Sequence, residues 1–243
     1  MPPPNLRGSP LLPSDRDDLL SRSWINDETA DTNFVRRGSS SENAEIVGRR
    51  DNGNLAGLLF ANIWPGEDHV REWRVRRDKP DLVVTIDGAH KEHAKYLGPP
   101  GGGNLLSLPV GTRPDWLIDV NLPVVITEGC KQLLALGRLA WHDLPDTAER
   151  PRFLAIGLYG VWNWRGVIGK QPGPDGKNRD VKGPIPDLAR LAFDERKVTI
   201  VYDSDARTND DVRVARMALA RYLVHERGAE VFFANIPAPK AKK

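Results

Sequence analysis

Two short apolar runs that each end in acid constrain this chain more than any other feature. Val124-Val-Ile-Thr127 runs into Glu128-Gly129, and Val198-Thr-Ile-Val-Tyr202 runs into Asp203-Ser-Asp205. Runs this short, rich in β-branched residues and without polar alternation, suit strands buried on both faces of a parallel sheet. Helical patterns follow each of them. Lys131 to Ala140 places Leu133, Leu134, Leu136 and Leu139 on an apolar side. Residues 209 to 227 have Asn209 or Thr208 as a cap, Asp210 and Asp211 at the positive end of the helix dipole, and Gly228 as a stop. Phe153-Leu-Ala-Ile-Gly157 and Glu230-Val-Phe-Phe-Ala-Asn-Ile236 read as further strands, and Pro186 opens a short helix. Strands alternating with helices predict a mostly parallel sheet from residue 123 onward.

In open sheets of this kind, function gathers where strands end at their carboxyl edge. Three carboxylates, Glu128, Asp203 and Asp205, are expected to meet there. They would repel one another without a cation. Hard oxygen donors suit Mg²⁺ or Mn²⁺, which neutralise phosphate charge and activate an oxygen nucleophile. Ser204 is small and leaves room for the two aspartates to share one edge. The plainer reading of each short motif, a loop start or a helix cap, loses ground only to the combination.

Upstream the pattern differs. Residues 1 to 14, rich in proline, read as a disordered tail, and residues 15 to 122 as a smaller α+β subdomain. Helices are expected near Asp15 to Ser23 and from Asp27, with Gly38-Ser-Ser-Ser as a loop. Gly57 to Trp64 and Val70 to Arg77 read as a hairpin about Pro65-Gly-Glu-Asp, and Leu82 to Ile86 as another strand. Alternation puts Trp73 and Val75 on one face of the second strand, with Arg74 and Arg76 on the other. That basic face is either a phosphate contact or a solvated surface whose arginine stems cover apolar groups.

The order of elements from 123 to 237, with Glu128-Gly129 and Asp203-Ser-Asp205 in place, resembles the Toprim family. Thr127-Glu-Gly-Cys-Lys131, Ile156-Gly-Leu-Tyr-Gly-Val-Trp-Asn-Trp164, Ile185-Pro-Asp-Leu188 and Tyr202-Asp-Ser-Asp205 are similar to the primase-like Toprim domains of phage and plasmid replication proteins. The resemblance implies a four-stranded Toprim-like sheet flanked by helices, with Glu128, Asp203 and Asp205 both catalytic and metal-holding. It implies primer synthesis on a single-stranded DNA template from nucleoside triphosphates, with a replicative helicase as a further partner. Lys95-Tyr-Leu-Gly98 resembles the segment before Toprim in bacterial-type primases, where the lysine meets nucleotide phosphates. Lys131 and Arg207 join Lys95, Arg74 and Arg76 as candidate phosphate contacts. The family's strand-cleaving members and a non-catalytic nucleic-acid-binding module are the alternatives. Bacterial-type primases carry glycine between the aspartates and alanine-glycine after them. Here Ser204 and Ala206-Arg207 stand instead, which fits the phage and plasmid branch. The chain is expected to be a piece of a longer replication protein.

Composition narrows the field little. The 243 residues are 40% hydrophobic and 28% charged with a net charge of +2, so any polyanion footprint must come from local clustering. One cysteine, Cys130, excludes a disulfide within the chain and a cysteine-rich zinc module within these residues, and reads as a packing residue at a helix start. The histidines show no metal-ligand spacing. No run approaches membrane-spanning length, and a cytoplasmic location is expected. Gly166 to Gly183 reads as a loop and fails as a P-loop, since Lys177 is followed by Asn178. Trp162 and Trp164 are expected to close a core rather than stack on bases.

Overall fold

A computed structural model describes residues 3–84, 88, 90–203 and 209–236. The chain forms two compact units, Met1–Gly102 and Gly103–Lys243. Residues 103–122, grouped by sequence with the first unit, therefore pack in the second. Among the described residues no helix is long and apolar enough to cross a membrane.

The first unit is built on an antiparallel sheet. Its strands β1 (Arg36–Gly38), β2 (Gly57–Asn62), β3 (Glu72–Arg77) and β6 (Tyr96–Leu97) lie in that order. β4 (Asp81–Val84) and β5 (His90–His93) form a separate pair. β2 and β3 make the expected hairpin, with Leu59 opposite Val75 and Ala61 opposite Trp73. These residues pack with Val47 and Val70 to form the core. The other face of the hairpin is also covered. Arg74 lies opposite Phe60 and Arg76 opposite Leu58, and both apolar residues are buried, so the arginine stems cover apolar surface.

Three local expectations change. Residues 3–12, expected as a tail, are tied down: Asn5 donates to the Val70 carbonyl and accepts from its N–H, Ser9 bridges Arg37, and Leu11 is buried. After α1 (Pro13–Ser23), Asn26 rather than Asp27 caps α2 (Asp27–Thr32), accepting from the Thr29 N–H. The serine stretch is not a loop throughout, because Ser39 and Glu42 form a reciprocal capping box that starts α3 (Ser40–Ile46).

The second unit holds a four-stranded, all-parallel sheet flanked by helices. The strands are β7 (Val124–Thr127), β8 (Leu154–Gly157), β11 (Lys197–Tyr202) and β12 (Glu230–Asn235), in the order β12-β11-β7-β8. α5 (Cys130–Trp141) crosses from β7 to β8, and α6 (Asp210–Arg227) from β11 to β12. The chain thus leaves the centre in opposite directions, and right-handed crossovers put the two helices on opposite faces. Val124, Ile126, Val198 and Ile200 are fully buried between them.

The approach to the sheet, through α4 (Pro114–Ile118), is held by buried polar groups. Asp187, in a 3₁₀ turn at Pro186–Arg190, accepts from the Leu106 N–H at 2.9 Å. Arg196, 0% exposed, donates to the carbonyls of Trp116, Leu117, Leu122 and Ala192. Burial pulls its guanidinium down to about 10, with Asp119 opposing the shift, so it remains charged at neutral pH.

Residues 166–183 are not a loop. β9 (Arg165–Pro172) and β10 (Asn178–Pro184) form an antiparallel hairpin around Gly173-Pro-Asp-Gly-Lys177, with a bulge at Val181/Lys182. Trp164 at its base is buried and stacks on Tyr222 at 5.3 Å. Trp162 is partly buried, with the Arg165 guanidinium 4.0 Å from its ring.

Candidate metal centre

β7 and β11 lie side by side with Ile126 opposite Ile200. That register carries the residue after each strand, Glu128 and Asp203, to the same carboxyl edge. Strand order reverses between these two strands, which is where open α/β sheets form a binding crevice. The Asp203 N–H, the first beyond the end of β11, donates to Glu128 Oε1 at 2.8 Å. One acid thereby fixes the backbone that carries the other.

The surroundings raise the electrostatic stakes. Gly129 is extended and α5 begins at Cys130, which is buried. Asn209 caps α6 by accepting from the Asp211 and Val212 N–H groups. Glu128 therefore stands just before the N-terminus of α5, where the dipole favours negative charge. Tyr202, 1% exposed, donates to the Val161 carbonyl. Burial, and then the Glu128 charge, push its phenol well above the ordinary tyrosine range, with Arg216 opposing.

Asp203 is exposed and Glu128 partly so. Asp205 and Arg207, like Ser204 and Thr208, lie outside the described residues. Among the described residues no group of three metal-ligating side chains is gathered. Glu128 and Asp203 are the part of the expected trio that is brought together. Their hard oxygens fit Mg²⁺ or Mn²⁺ and not a soft, thiol-seeking ion.

The other predicted site residues divide between the units. Lys131 stands in the first turn of α5, close in sequence to Glu128. Arg74, Arg76 and Lys95 belong to the first unit. Arg74 is paired with Glu72 at 2.6 Å and Lys95 with Glu92 at 2.5 Å, so part of the expected cationic face is neutralised by its own acids.

Arg216 of α6 lies against β12 rather than in solvent. It is partly buried, its Nε is fully enclosed, and its guanidinium lies over Phe233 at 4.8 Å. It also donates to Asn235 Oδ1 at 3.2 Å, and Asn235 is the register partner of Tyr202. The signal was present in the spacing, because Arg216 lies on the same stripe as Val212, Leu219 and Leu223.

Residues 115–243 match the model of a family described as "Domain of unknown function (DUF3854)". No curated protein and no solved structure matches the chain.

Proposed function

The chain belongs to the family described as a domain of unknown function (DUF3854). We propose that its second unit is a Toprim-like nucleotidyltransferase domain that synthesises primers on single-stranded DNA. The hydrogen bond from the Asp203 N–H to Glu128 Oε1 carries the reading, since it joins acids from two central strands at one sheet margin. One fold serves many reactions, and it is these acids, not the sheet, that favour this chemistry.

A divalent ion held by Glu128, Asp203 and Asp205 would neutralise phosphate charge and orient the attacking 3′-oxygen. The protein's own part is positional. The Asp203 N–H fixes the Glu128 carboxylate, and Asn209 caps the start of α6. Lys131 and Arg207 are assigned to phosphate oxygens in this unit. Arg74, Arg76 and Lys95 of the first unit are assigned to template or nucleoside triphosphate, exchanging acidic partners for phosphates. A replicative helicase is the further partner of this reading, and the cytoplasm its location.

Strand cleavage through a tyrosyl intermediate is disfavoured at two of the tyrosines. Tyr202 and Tyr222 are 1% and 8% exposed.

The test is incorporation of labelled nucleotide on a single-stranded template, in Mg²⁺ and in Mn²⁺. Wild type is expected to make primers, and Asp203→Ala, Asp205→Ala or Glu128→Gln to lose roughly a hundredfold or more of that activity. Metal-dependent nicking of plasmid without incorporation would replace synthesis by cleavage. Full activity in Asp203→Ala would remove the acid site from the mechanism.

A further inference from the structure

We infer that the first unit carries an anion pocket, built around Arg49 and Arg50, that takes the phosphate end of a nucleotide. The pocket consists of first-unit residues alone and shares none with the acid site.

A cavity of about 430 Å³ opens beside the end of α3, with Arg49, Arg50, Asn52 and Arg77 in its lining. Its volume falls within the roughly 300–1,000 Å³ range of small-molecule sites and exceeds what a lone phosphate needs. The chain reaches it by a defined route. α3 ends in a Schellman motif, in which the Gly48 N–H donates to Glu45 and the Arg49 N–H to Ala44, with Gly48 at φ 61. This fixes the backbone of Arg49 at the rim.

The charge balance is uneven. Arg77, 2% exposed, has its donors committed to the carbonyls of His93 and Ala94 and to Asp81 at 3.0 Å. Asp81 also accepts from the Asn54 amide, so the acid in the lining is occupied by Arg77 and Asn54. Arg49 is held through its Nε, which donates to the Gly98 carbonyl at 2.7 Å, and among the described residues its Nη groups meet no partner. Among those residues Arg50 and the Asn52 amide have none either. Arg49 and Arg50 both line the cavity, Arg49 already oriented, and each guanidinium is a planar fork of donors from which phosphate oxygens accept in pairs. Leu97 and Pro100 supply an apolar wall for a base or sugar.

The same phosphate chemistry could be presented by a free nucleotide or by the 5′ end of a strand. Calorimetric titration of the full chain in excess EDTA separates them. The probes are ATP, inorganic triphosphate, and one short oligonucleotide with and without a 5′-phosphate. Wild type is expected to bind ATP and triphosphate, or, if strand ends are the source, the phosphorylated oligonucleotide over its unphosphorylated form. The Arg49→Ala/Arg50→Ala variant is expected to weaken whichever binding is seen by roughly tenfold or more. Asn52→Asp, a change at an exposed lining position, is expected to weaken it without disturbing the fold, and Asp203→Ala to leave it unchanged. No binding of any probe by wild type, or equal binding by wild type and both pocket variants, would overturn the pocket.

Discussion

Glu128 gives one carboxylate oxygen to the Asp203 N–H, so a substitution there has two separable effects. Glu128→Gln keeps an acceptor for that N–H and removes only the charge. Its melting temperature is expected within about 3 °C of wild type while activity is lost, whereas Glu128→Ala loses both. Differential scanning calorimetry beside the incorporation assay checks this, and equal destabilisation by both variants would contradict it. Arg196 is the opposite case, a buried charge with a structural task. Arg196→Met would take one donor from each of four carbonyls, of which only Leu117's keeps another, the Ala192 N–H, among the described residues, and a loss of about 3 kcal/mol or more in urea unfolding is expected. The two residues also differ in how far the sequence betrayed them. Glu128 ends an apolar run, a local signal that survives in one dimension. Arg196 sits in Asp194-Glu-Arg-Lys, which reads as a solvated turn, because three of its four carbonyl partners lie more than seventy positions earlier.

At the scale of elements, legibility followed burial. β7, β8 and β11 are covered on both sides and read as continuous apolar runs, and α6 displays its cap, its stripe and its stop. Asn209→Ala is expected to cost about 1 kcal/mol, since two N–H groups would lose their acceptor. Denaturant unfolding measures it, and no change would place the start of α6 elsewhere. The β9–β10 hairpin is largely exposed on both faces, so no apolar alternation announced it, and Pro174-Asp-Gly176 was its one local mark. β3 carries a pH dependence of its own. Burial raises the Glu72 carboxyl above its ordinary 4.5, with Arg74 opposing. The folded state then binds the proton more tightly than the unfolded state, so this group's contribution to stability falls as pH rises above 4.5 and is recovered on acidification. Glu72→Gln is expected to flatten that decline in unfolding curves from pH 4.5 to 7, and an unchanged slope would exclude Glu72 as its source.

At the scale of the molecule, the division at Gly102/Gly103 follows from what residues 103–122 touch. Leu106, Leu108, Trp116, Leu117 and Leu122 are buried, and Asp187 and Arg196 hold their backbone within the second unit. The change to strand–helix alternation at 123 marked the start of the sheet and missed this lead-in, whose buried side chains have no single period. Residues 103–243 are therefore expected to fold alone with a cooperative transition, and residues 123–243 to do so poorly, as circular dichroism on heating would report.

Whether Glu128, Asp203 and Asp205 together hold a divalent ion is decided by Mn²⁺ binding followed by electron paramagnetic resonance on the full chain. Wild type is expected to bind Mn²⁺ saturably, with the affinity reduced about tenfold or more by Glu128→Gln and by Asp203→Asn. Identical Mn²⁺ isotherms for wild type and both variants would contradict it.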